Sequence, residues 1–140
     1  MMKINKALID SDILLDYFLD RKPFSDDSSK ILTMCEEGKL NGFITGVAIA
    51  NIYYLLRKEH GPKPVLQGIK RLLTFLDVVI LDKNTILKSI ESDFSDFEDA
   101  LQNFSAENQG NIKVIITRNI KDYKRSNLSV LNPKMFLEAL

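Results

Sequence analysis

Cys35 is the only cysteine and His60 the only histidine among the 140 residues, which excludes an intramolecular disulfide. It also excludes a thiol or imidazole pair able to activate a nucleophile or hold a soft metal. Cys35 lies in the apolar-periodic stretch "KILTMCEEG" and reads as a core thiol. His60 stands just before Gly61 and Pro62 and reads as a residue of a helix C-terminus. An excess of one charge is lacking too. With Lys+Arg 19 and Asp+Glu 19 the formal net charge is zero, so no strong global field draws in nucleic acid, and such contacts fall to local patches. No apolar run reaches transmembrane length, and neither a signal h-region nor a lipidation motif opens the chain. The expectation is a cytoplasmic protein with no membrane partner. Repeats and linkers are absent as well.

What is present suits a folded domain. At this length, 45% hydrophobic residues bury enough surface for one core, and a single domain over residues 1–140 is expected. Residues 4–9 read as a short buried strand stopping at Asp10 and Ser11, which offer turn or N-cap chemistry. A helix follows, with Ile13, Leu14, Tyr17 and Phe18 on one face, and ends at Arg21 to Pro23. A second helix starts near Ser25, with Asp26 and Asp27 at its positive end, and stops at Gly38. "NGFIT" is a brief strand, Val47 to Lys58 an apolar helix, residues 63–76 an amphipathic one and "DVVILD" a third strand. Two helices are expected next, over about 84–92 and from Ser95 to about Asn108. "IKVIIT" is the clearest strand of all. "LSVL" and a terminal helix with Pro133 in its first turn complete the chain. Strands alternating with helices predict an α/β three-layer sandwich: a central, mostly parallel sheet of four or five strands flanked by helices.

In open α/β sheets ligands collect beyond the carboxyl ends of the strands. Asp10 occupies such a place, although a plain N-cap also accounts for it. Asp12 and Asp16 are i, i+4 neighbours, and Asp12 is also a first-turn acid favoured by the helix dipole. A second group, "ESDFSDFEDALQ", crowds Glu91, Asp93, Asp96, Glu98 and Asp99 together. Ser95 and Glu98 have the spacing of a capping box, and Asp96 complements the dipole. Phe97, Ala100, Leu101 and Phe104 form an apolar face, leaving Asp96, Asp99 and Asn103 opposite, toward either water or the strand end carrying Asp10. A third stretch, "VIITRNIKDY", ends a strand in Thr117, Arg118 and Asn119 and continues to Asp122; local turn bonds and a Lys pairing also explain it. Together the groups offer hard oxygen ligands of the kind Mg²⁺ or Mn²⁺ prefers, and crowded carboxylates then acquire a purpose. Two basic stretches, 57–71 with Arg57 and 118–125 with Arg118 and Lys121, are either phosphate contacts or solvated faces.

"ALIDSDILLDYFLDRKPF", "ITGVAIANIYYLLRK", "DFEDALQNFSA" and "VIITRNIKDYKRS" occur in the order and at about the spacing of the PIN-domain family. The resemblance spans nearly the whole chain, and it is nearest to small prokaryotic proteins similar to VapC-type toxins. It implies a metal-dependent endoribonuclease hydrolysing phosphodiester bonds of single-stranded RNA, with Mg²⁺ or Mn²⁺ as cofactor. An antitoxin partner and a homodimer are implied with it. Carried over by motif, the acids are Asp10, Asp99 and Asp122, with Asp96 a further metal ligand and Thr117 and Asn119 supporting polar groups. Asp12 stands at a usual Asn and adds a charge. The acid normally found as Glu falls on Asn51, which keeps a carbonyl oxygen but removes a negative charge. Arg118, Lys121 and Arg57 would hold RNA phosphates. Two rival readings stay open: a catalytically weakened PIN-fold module binding RNA or a partner protein, and a phosphatase using "DSD" as Asp-x-Asp with Asp10 as nucleophile.

Overall fold

The computed structural model describes residues 6–140. Its elements are β1 (Lys6–Ile9), α1 (Ser11–Phe18), α2 (Ser25–Glu36), β2 (Asn41–Ile44), α3 (Gly46–His60), α4 (Pro62–Leu72), β3 (Leu76–Val78), α5 (Lys83–Ile90), α6 (Phe97–Gln109), β4 (Val114–Ile116), a 3₁₀ turn (Ile120–Tyr123), β5 (Ser129–Leu131) and α7 (Pro133–Glu138). Of the strand expected over residues 4–9, the portion from Lys6 is present, and residues 4 and 5 lie outside the described ones.

The five strands form one sheet in the order β3-β2-β1-β4-β5, and every neighbouring pair is parallel. The chain therefore builds outward from β1 through β2 and β3 on one side, then crosses to place β4 and β5 on the other. That reversal is a topological switch point, where α/β sheets open a crevice beyond the strand ends. The register makes it sharp. Ile9 lies opposite Ile116, and the Asp10 N–H continues the ladder to the Ile116 carbonyl at 3.0 Å. Asp10 and Thr117 thus leave the sheet side by side.

Side chains along each strand alternate between two cores, as the period-two geometry of a strand requires. Ala7, Ile9, Ile44, Val114 and Ile116 pack with Ile13, Leu14, Ile31, Ile52, Ile69 and Phe136 from α1, α2, α3, α4 and α7. Leu8, Phe43 and Ile115 face the other way, onto Ala106 of α6 and Tyr123 of the 3₁₀ turn. Cys35 is buried in the first core, as expected, and burial pushes its thiol up to about 12. Gly42 in β2 is required by this packing. A Cβ there would stand 2.7 Å from both Cys35 Sγ and Leu76 Cδ2. Gly61 (φ 82°) separates α3 from α4 in a conformation that glycine adopts without strain, and Pro62 opens the next helix.

Three local expectations are corrected. The third strand is Leu76–Val78 rather than the whole of "DVVILD", because its partner β2 ends at Ile44 and only the Val79 N–H still reaches the Ile44 carbonyl. The helix expected to run to residue 76 stops at Leu72, and Thr74 Oγ1 donates to the Arg71 carbonyl in the turn that follows. The N-cap of α6 is Asp96, whose carboxylate accepts from the Asp99 N–H at 3.0 Å, so the Ser95–Glu98 capping box is not formed. A carboxylate accepts more strongly than a hydroxyl, which favours the aspartate as cap.

Candidate active site

Asp10 is the hub. It caps α1 and is 5% exposed. Its Oδ1 accepts from the Ser11 N–H at 2.7 Å and from Gln102 Nε2 at 2.7 Å; its Oδ2 accepts from Thr117 Oγ1 at 2.8 Å and from the Tyr123 hydroxyl at 3.2 Å. Donors from α1, α6, the end of β4 and the 3₁₀ turn thus meet on one buried carboxylate. Gln102 is itself fixed, because its Oε1 accepts from Thr45 Oγ1 at 2.9 Å while Nε2 also reaches the Tyr123 oxygen at 3.0 Å. Thr45 in turn caps α3 by accepting from the Ala48 N–H.

Asp12 stands beside this hub. Its Oδ2 accepts from the Arg118 N–H at 2.9 Å, Asn119 Nδ2 at 3.2 Å and Thr117 Oγ1 at 3.3 Å, which pins the loop after β4 to the start of α1. Its Oδ1 is buried with no hydrogen-bond partner. Burial, and after it the charge of Asp10, push the Asp12 carboxyl up to about 7, against the lowering influence of the Arg118 contacts and Thr117. A carboxyl raised in the fold binds more protons folded than unfolded between the two pKa values. Asp12 therefore withdraws stability as pH rises from about 4 through about 7, and the deficit is constant above that. Asp12→Asn keeps an acceptor for the loop and removes the charge. The expected result is a melting temperature about 5 °C higher at pH 8 and nearly unchanged at pH 4, in a thermal unfolding series across pH.

Asp99 lies in the first turn of α6, half-buried. Its carboxyl is pushed up to about 7 by burial first, then by the charges of Asp96, Asp10 and Asp122, while the neighbouring Tyr123 hydroxyl lowers it. Asp96, Asp10 and Asp122 are therefore near enough to repel it. Tyr123, 1% exposed, donates to Asp10, and burial together with the charges of Asp10 and Asp99 holds its hydroxyl protonated, far above the usual tyrosine range. Asp96 and Asp122 are exposed at the rim.

The remaining candidates divide. Thr117, fully buried, bonds Asp10, Asp12 and the Asn119 N–H and belongs to the network. Lys121 is exposed beside Asp122. Arg118 does not reach out to solvent as a phosphate clamp would. Its Nε and a terminal nitrogen grip the buried Asp16 carboxylate at 2.6 and 3.1 Å, and its guanidinium lies 3.9 Å from the Phe24 ring centroid. Arg57 is not brought to the acids either. It sits over the Tyr54 ring at 4.7 Å in the last turn of α3, about 18 Å along the helix from Thr45. Asn51 is half-buried, and its amide donates to Glu98 Oε2 at 2.9 Å. Asn103, expected beside Asp99, accepts instead from Ser126 Oγ.

Sequence reasoning missed Gln102, Tyr123 and Thr45. Gln102 had a usable signal, since it follows Asp99 by three residues and Glu98 by four and so shares their helix face. Tyr123 and Thr45 had none, because their roles depend on which elements the sheet order brings together.

The acids carry hard oxygen donors suited to Mg²⁺ or Mn²⁺, and the partnerless buried Asp12 Oδ1 and the repulsion that Asp99 meets from its acidic neighbours both suit a nearby cation. Among the described residues no three His, Cys, Asp or Glu side chains stand close enough to enclose an ion. An open site is the arrangement Mg²⁺ favours, since it keeps waters and takes one or two carboxylates plus substrate oxygens.

A parallel α/β domain with clustered carboxylates at the switch point between β1 and β4 defines the class of protein. The PIN domain family model matches residues 6–121, and the chain belongs to the PIN-domain family. Ribonuclease VapC1 of Aquifex aeolicus (strain VF5) is 27% identical over 142 residues, covering 98% of this chain and 96% of the relative. Among solved structures, a toxin-antitoxin complex from Klebsiella pneumoniae aligns with a TM-score of 0.68 at 21% identity, over 91% of this chain and 97% of that one. DNA-bound VapBC from Salmonella typhimurium aligns with a TM-score of 0.69 at 14% identity, over 93% and 99%. Membership of this family displaces the Asp-x-Asp phosphatase reading. Among the described residues no helix is long and apolar enough to cross a membrane.

Proposed function

We propose that the chain is a divalent-metal-dependent endoribonuclease, a single domain that hydrolyses phosphodiester bonds of single-stranded RNA as the toxin of a toxin-antitoxin pair. The observation that carries the reading is the place of Asp10 beyond the ends of β1 and β4, with Asp12 and Asp99 near enough that burial first, and then acidic neighbours that include Asp10, raise both. Asp10, Asp99 and Asp122 would hold Mg²⁺ or Mn²⁺, with Asp96 as a further ligand. The bound ion supplies a water of lowered pKa and neutralises charge on the phosphoryl group.

The chain's own part is positioning. Gln102, Thr117 and Ser11 aim the Asp10 oxygens. Asp12 holds the Thr117–Asn119 loop against α1. With Arg118 committed to Asp16, the phosphate contact passes to the exposed Lys121. The named activity of the Aquifex relative, matched almost end to end, supports the RNA substrate. The toxin-antitoxin complex that shares the fold supports an antitoxin partner, and exposed apolar side chains such as Leu55, Ile80 and Ile90 provide surface for it and for a second copy of the chain.

The test is cleavage of a single-stranded RNA by the full chain. Cutting is expected with Mn²⁺ or Mg²⁺ and none with EDTA, and Asp99→Asn is expected to slow it about tenfold or more. The neutral Asn51 favours one other reading, the non-cutting module. RNA bound equally with and without Mg²⁺ and left intact would establish that module instead.

A further inference from the structure

The geometry points to Glu98 as a further metal-binding acid, positioned by Asn51, so that the pair together supplies the negative charge which Asn51 alone does not. This inference rests on the metal-dependent reading above. With Asp96 as the N-cap of α6, Glu98 is free of the capping box that Ser95 would have formed with it. What Glu98 does instead is accept the Asn51 amide on Oε2 at 2.9 Å, across 47 residues of sequence.

The placement is what gives this contact meaning. On a helix successive residues turn by about 100°, so Gln102 falls on α6 between Glu98, about 40° to one side, and Asp99, about 60° to the other. Gln102 is in direct contact with Asp10 at 2.7 Å. Asp99 extends from that line toward Tyr123 and Asp122, while Glu98 extends toward α3. Glu98 and Asp99 therefore leave α6 on either side of the residue that bonds Asp10. Helix α3 supports this side through two rungs, Thr45 to Gln102 and Asn51 to Glu98. An amide donor fixes a carboxylate without neutralising it, unlike a lysine or arginine, so the charge of Glu98 stays available to a cation. Glu98 is exposed, and a long side chain held at one oxygen loses less freedom when it ligates.

Calorimetric titration of Mn²⁺ into the full chain tests this without reference to activity. Glu98→Gln is expected to weaken Mn²⁺ binding about tenfold, and Asn51→Ala about threefold through loss of positioning. The exchanged pair, Asn51→Glu with Glu98→Gln, reverses the hydrogen bond and keeps one carboxylate at the same contact. It is expected to return within about threefold of wild type. Glu59→Gln, a charge lost in the last turns of α3, controls for net charge and leaves the affinity unchanged. An affinity unaltered by Glu98→Gln overturns the inference while the nuclease reading stands, and an exchanged pair as weak as Glu98→Gln overturns the positioning by Asn51. A wild-type chain that binds no Mn²⁺ overturns both.

Discussion

Asp10→Asn is expected to lower divalent-dependent RNA cleavage about a hundredfold or more, with the melting temperature within a few degrees of wild type. The first effect follows from removing the charge that, after burial, helps to raise both Asp12 and Asp99 and that would attract an ion. The second follows from the donors around it. An asparagine placed with its carbonyl toward Ser11 N and Gln102 Nε2 retains both of those bonds. Its amide then meets two hydroxyls, Thr117 and Tyr123, and a hydroxyl can turn to accept where it formerly donated. The fold keeps its hydrogen bonds while the site loses its charge. Measured side by side, cleavage rate and thermal unfolding separate the two roles. A rate equal to wild type would remove Asp10 from the chemistry and reduce it to the N-cap of α1.

What the residues disclosed in advance was mostly local. Strand and helix positions were legible because apolar period and capping chemistry act within a few residues, and parallel pairing followed from their alternation. The positions of Asp10 and Thr117 were legible for a similar reason, since each closes an apolar strand. The failures share a physical cause, which is tertiary. Asp96 rather than Ser95 caps α6 because competing caps differ by little, and the carboxylate reaches the Asp99 N–H at 3.0 Å. Glu98, Gln102 and Tyr123 acquire roles only when α3, α6 and the 3₁₀ turn are stacked around the end of β1. The basic side chains were read least well, because a charge run does not say whether its partner is solvent, a phosphate or a buried acid.

Arg118 is the clearest instance, and Arg118→Ala is expected to destabilise the chain by about 3 kcal/mol, read by denaturant unfolding. Asp16 is wholly buried, and its carboxylate is held by Arg118 at 2.6 and 3.1 Å and by Arg21 Nε at 2.9 Å. Deleting Arg118 leaves that buried charge with one partner, itself 42% exposed in its side chain, and removes the stacking on Phe24. Asp16→Ala costs less, about 2 kcal/mol, since the freed arginines are partly exposed and can return to water. The two losses are not additive. The double variant is expected to fall about 1–3 kcal/mol short of their sum, the coupling of a directly paired charge. Activity should follow stability, because the Arg118 N–H to Asp12 bond belongs to the loop carrying Thr117 and Asn119. A phosphate-binding arginine behaves in the opposite way. Its removal raises KM for RNA and shifts the salt dependence while leaving unfolding unchanged, so the unfolding curve of Arg118→Ala decides between a clamp inside the fold and a hand held out to the substrate.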